Sequence, residues 1–156
     1  MNFDFPLKEL PAVMRGPRIE RRHVMLGGTP VWGTLVEDGA ARGQLRLDDG
    51  RVVDPGTVTH LPPVSPSKII AVHISYSSRS METRNKPRPT ETPTYFTKPP
   101  TSLNGHGGQI FKPADCKYLN YEGEYAVVIS RTCRNVTPDE AWHYIEGFCP
   151  ALDMGL

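Results

Sequence analysis

The chain has 156 residues with 38% hydrophobic and 22% charged side chains, which is room and apolar content for one modest core and too little charge for a disordered polyelectrolyte. Eighteen basic against 17 acidic side chains leave a formal net charge of +1, so no long-range field steers nucleic acid to it. No apolar run approaches the length that spans a bilayer, and the N-terminal "MNFDFPLKEL" lacks the apolar segment of a secretory signal, so a cytoplasmic, soluble chain is expected.

Residues 1–22 read as an arm, and the basic cluster "RGPRIERRH" at 15–23 as a solvated segment. "PVWGTLVEDG" predicts a strand running into an Asp38-Gly39 turn. "GQLRLDDGRVVD" predicts a hairpin: Leu45 and Leu47 alternate, Asp49-Gly50 turns, Val52-Val53 return. Together these form a small antiparallel unit over roughly 23–57. "HLPPVSPSK" at 60–68 carries three prolines and is the best linker candidate. Two segments are therefore expected: 1–62, an arm with a small antiparallel β extension, and 63–156.

In the second segment, Ile69 to Val72 predict a buried strand. Residues 77–93 are polar, a long loop of the kind that often forms a lid. "TYFTKPP" is a strand halted by prolines, and "LNGHGGQIF" a glycine-rich turn entering another short strand. "YEGEYAVVIS" is the strongest strand signal. In "VTPDEAWHYIEGF", Thr137, Pro138 and Glu140 spell a capping box, and Gly147 a terminator, for a helix over about 138–146. Phe148 to Leu152 predict another buried strand.

Glu122 and Glu124 are two residues apart on the strongest strand, so both point to one face, about 6–7 Å apart at the base. Two carboxylates at the mouth of a core strand repel each other and lose water, and a hard divalent ion relieves both costs. Asp153, 29 residues beyond Glu124, can join them if a β-helix-β excursion returns it to a neighbouring strand. An E-x-E on the exposed face of an edge strand needs no metal, and that alternative stands beside the first. Lys98 can anchor an anion or stabilise an enolate, or simply be exposed. Arg79 and Glu82 can pair locally or line a lid. His73 reads as a satisfied buried histidine and His106 as turn chemistry, since no phosphate-loop motif surrounds it. Cys116, Cys133 and Cys149 fit no zinc spacing, and Cys133 and Cys149 read as packing thiols. Trp142 and Tyr144 read as packing residues.

In order along the chain, "SPSKIIAVHISY", "YFTKPPTSLNGHGG", "YEGEYAVVISRTCRNVTPDEAWHYIEGF" and "LDMGL" resemble the landmarks of the fumarylacetoacetate hydrolase family, over about 66–156. Within it the resemblance is to the 2-hydroxyhepta-2,4-diene-1,7-dioate isomerase and oxo-diacid decarboxylase branch of aromatic catabolism. The resemblance implies a mixed, mainly β rolled fold with few short helices, usually a homodimer. It implies magnesium or manganese on Glu122, Glu124 and Asp153, with Lys98 in a structural or substrate-facing role. The implied substrate is a 2-oxo or 2-hydroxy-dienoic diacid chelated to the ion, whose enolate serves isomerisation, decarboxylation or C–C hydrolysis alike. Many members carry a His-x-x-Glu pair after the opening strand. Here "SSRSMETR" puts Arg79 at the His position and keeps Glu82. Arginine stays protonated and cannot be that base, which favours isomerisation or decarboxylation, with the positive charge on a distal carboxylate. The family's catalytic core continues past the aspartate strand, whereas this sequence stops at Leu156. A truncated product, a partial sequence or one subunit of a split enzyme with a structural or assembly role is the alternative to a metal-dependent enzyme. An unrelated β domain binding neither metal nor oxo acid is a third possibility.

Overall fold

In the computed structural model, which describes residues 17–73 and 93–155, the first strand is β1 (Arg21–Leu26), polar in its first half and apolar in its second, with Val24 buried. This strand turns at Gly27-Gly28, both with positive φ, into β2 (Thr29–Leu35). Then follow β3 (Leu45–Leu47), β4 (Val52–Val53) and β5 (Thr59–His60), in the sheet order β4-β3-β2-β1-β5. The pairings within this sheet are all antiparallel. The Asp49-Gly50 hairpin is as expected, with Gly50 at φ 92°.

The expected arm is corrected in part. Arg21 to Leu26 form an interior strand of this sheet, flanked by β2 and β5. Its charged residues disguise the strand because the partners of Arg21 lie far along the chain. The Arg21 guanidinium donates to both Asp48 carboxylate oxygens, at 2.7 and 2.6 Å, and to Thr34 Oγ1 at 3.0 Å. On the same face His23 stacks on its cross-strand partner Trp32, with ring centroids 4.6 Å apart. The opposite face holds the core, Val24, Leu45 and Leu47, with Leu26, Val31, Val53 and Val58 packed against it. Gly33 is required there: a Cβ would lie 2.9 Å from the Arg46 carbonyl oxygen and from Leu45 Cγ.

Two antiparallel ribbons follow. β6 (Ile69–His73) pairs with β7 (Thr94–Lys98), and β8 (Asn120–Ile129) with β9 (Ile145–Gly155). The second ribbon is closed by α1 (Pro138–Ala141), whose capping box is complete: Thr137 Oγ1 accepts from Glu140 N, and the Glu140 carboxylate accepts from Thr137 N.

Several expectations change here. The helix stops at Ala141 and a 3-10 turn runs to Tyr144, because Ile145 and Gly147 are taken into β9 by pairing with β8. The strand expected after "LNGHGG" is absent among the described residues, and Ile110 and Phe111 are exposed. The strands expected to be buried form but are only half covered. Ile70, Val72, Phe148 and Leu152 are exposed because, among the described residues, each ribbon has two strands and one face of each carries no neighbouring layer. His73 is likewise exposed, edge-on to Phe96. The 77–93 loop lies outside the described residues up to residue 92.

Candidate metal centre

The site begins with the alternation of β8. Glu122 and Glu124 occupy the face that continues through Ala126 and Val128. Directly opposite residues in an antiparallel pair share a face, and Asp153 is opposite Glu122, as Ala151 is opposite Glu124. All three carboxylates therefore project from one side of the ribbon, among small residues.

A β-bulge sets this register. Ile129 pairs with Ile145, but Val128 pairs with Gly147, so Glu146 is skipped. Without that extra residue Leu152 would stand opposite Glu122, and Asp153 would point to the other face. The excursion that returns Asp153 is held at its base by Ser130, whose N–H donates to the Tyr144 carbonyl at 2.9 Å, and by Arg131, whose guanidinium lies 4.5 Å from the Tyr144 ring centroid.

The fourth member comes from the other ribbon. Lys98, at the end of β7, forms an ion pair with Asp153, and its ammonium faces the Met154 carbonyl at 3.5 Å. The two side chains retain only 29% and 22% of their exposure, so the exposed alternative for Lys98 is corrected. Phe96, two residues earlier and on the same face of β7, sets its ring 5.9 Å from the ammonium. Sequence reasoning missed Phe96 and the Met154 carbonyl. The i, i+2 spacing of Phe96 and Lys98 was the available signal for the first, whereas a backbone carbonyl leaves none.

Glu122, Glu124, Asp153 and Lys98 are thus brought to one region, while Arg79 and Glu82 lie outside the described residues. Among the described residues no three His, Cys, Asp or Glu side chains close into a cluster. Glu124 is exposed and Asp153 is tied to Lys98. The donor set is all oxygen and already attracts a cation, so its chemistry fits a hard divalent ion such as magnesium or manganese better than a soft one.

The remaining candidates lie elsewhere. His106 sits in the glycine turn, edge-on to His60 at 5.4 Å, beside a cleft of about 700 Å³ whose lining includes none of the three carboxylates. Cys133 is exposed and so is not a packing thiol. Cys149 lies opposite Ala126 on the carboxylate face, and partial burial pushes its thiol pKa up, which makes it a poor nucleophile at neutral pH. No helix among the described residues is long and apolar enough to cross a membrane.

Residues 68–156 match the family model described as the fumarylacetoacetate (FAA) hydrolase C-terminal domain. The chain is 45% identical over 106 residues to an uncharacterized protein of Archaeoglobus fulgidus, covering 68% of this chain and 42% of that one. It is 31% identical over 88 residues to the homoprotocatechuate catabolism bifunctional isomerase/decarboxylase of Escherichia coli, covering 56% and 20% respectively. The solved structure of Cg1458 with inhibitor superposes with a TM-score of 0.75 at 26% identity, covering 88% of this chain and 55% of that one. The matched stretch is less than half the length of the first curated relatives, at 42%, 39% and 40%.

Proposed function

The chain belongs to the fumarylacetoacetate hydrolase family, and from that premise we propose that it is a divalent-metal-dependent isomerase or decarboxylase of a 2-oxo or 2-hydroxy-dienoic diacid. C–C bond hydrolysis is the other outcome open to the same site. Glu122, Glu124 and Asp153 would hold the magnesium or manganese ion. The observation that carries this is the projection of three carboxylates from one face of the β8–β9 ribbon, with a lysine ammonium drawn to one of them.

The ion, when bound, supplies Lewis-acid stabilisation of negative charge developing on substrate oxygen. Glu122 and Asp153 are partly covered, a setting where electrostatic contacts are stronger than in bulk water. Lys98 supplies positive charge beside them for a substrate carboxylate. Arg79 and Glu82 are proposed as further site residues, with Arg79 binding the distal carboxylate rather than acting as a base, since a guanidinium does not release its proton at working pH.

Magnesium-dependent turnover is expected from a panel of 2-oxo and 2-hydroxy-dienoic diacids. Dienol absorbance follows isomerisation, and released carbon dioxide follows decarboxylation. The reaction should stop with a chelator and return with added magnesium. Turnover indifferent to the chelator would overturn the proposal.

A second reading, with the chain as one member of an assembly, is favoured by a separate observation. The ribbon face opposite the carboxylates exposes Tyr121 at 70%, Tyr125 at 63% and Leu152 at 62%, beside Phe148, Val127 and Ile129. Such a contiguous apolar face suits another protein surface. A homodimer, or a complex with a complementary subunit, is expected to cover it. Light scattering on the purified chain should give twice the monomer mass; a monodisperse, active monomer would count against any such partner.

A further inference from the structure

We propose that Lys98 is the resident counter-cation of Asp153, and that a divalent ion entering the carboxylate site displaces its ammonium group and frees it for the substrate. This rests on the metal ligation proposed above and adds an exchange to it.

Among the described residues the ammonium is held by groups of negative character: the Asp153 carboxylate, the Met154 carbonyl oxygen and the face of Phe96. All belong to the described site, and Asp153 is the register partner of Glu122. The pair therefore sits at the point where a metal ion would need Asp153. A divalent ion there repels an ammonium twice as strongly as a monovalent one at the same distance, and partial burial limits screening by water. The lysine stem is flexible, whereas the β9 backbone that carries Asp153 is fixed by its ladder to β8. Lysine is thus the partner that moves. Once released it lies beside the ion with an unpaired charge, suited to a substrate carboxylate. By linkage, an anion that engages Lys98 must also tighten the metal.

The alternative is that Lys98 merely orients Asp153 as a ligand. The two roles predict opposite signs. Under exchange, Lys98→Met removes the competing cation and keeps most of the apolar stem. Magnesium binding by the full chain, measured by titration calorimetry, should then tighten about five- to tenfold, the worth of a partly exposed ion pair. The metal-free Tm should fall below that of the unsubstituted chain, and the rise in Tm on adding magnesium should grow. Lys98→Arg, which keeps the charge, should stay near the unsubstituted affinity. Lys98→Gln, which can still donate to Asp153, should also bind more tightly and decides the matter if the methionine variant does not fold. Unchanged or weaker binding in the neutral variants overturns the exchange while leaving the ligation standing. No magnesium binding by any of the chains overturns the ligation, and the exchange with it.

Discussion

Replacing Glu124 with glutamine is expected to weaken magnesium binding by about a hundredfold while leaving the fold intact, because a charged oxygen ligand of a hard ion becomes a neutral amide. Glu124 is the right position for this test. It is exposed, it lies opposite Ala151, and among the described residues removal of its charge leaves no partner stranded. Asp153→Asn is less clean, since it also strands the Lys98 ammonium in a partly buried setting. The comparison to make is calorimetric magnesium affinity beside thermal unfolding in the absence of metal. A large loss of affinity at unchanged Tm supports ligation by Glu124. Unchanged affinity would return the E-x-E pair to the plain alternative of an exposed edge.

The largest stability effect is expected from Leu45→Ala. The five-stranded sheet is organised around three fully buried side chains, Val24, Leu45 and Leu47, with no measurable exposure at Leu45. Truncating one of three leaves a cavity that β3, paired on both sides, cannot collapse to fill. Such truncations cost about 2–5 kcal/mol, a large share of the roughly 5–15 kcal/mol by which domains are stable. Val52→Ala in the neighbouring strand, exposed at 44%, should cost less than about 0.5 kcal/mol. Urea unfolding followed by tryptophan fluorescence measures both, since Trp32 is stacked on His23 and should change on unfolding of this sheet. Equal destabilisation by the two variants would contradict a core centred on β3.

Features set by neighbours in the chain were legible from the residues alone. The i, i+2 spacing of Glu122 and Glu124 puts both on one strand face whatever surrounds them. Asp49-Gly50 makes a hairpin because glycine takes a positive φ without strain, and Thr137 with Glu140 starts a helix because their groups satisfy each other's backbone. The order of short motifs also carried the family, and residues 68–156 match it. Other features depend on contacts between distant segments. The skipped Glu146 turns Asp153 toward Glu122, a one-residue shift that no local propensity encodes. Lys98 meets Asp153 only because two ribbons, 55 positions apart at those residues, come together. β1 was hidden because Arg21 looks solvated until Thr34 of β2 and Asp48 of the β3–β4 turn come beside it. Burial of Ile70, Val72, Phe148 and Leu152 was misread for the same reason: a strand's apolar character follows from its own residues, but whether a layer covers it is a property of the assembled chain.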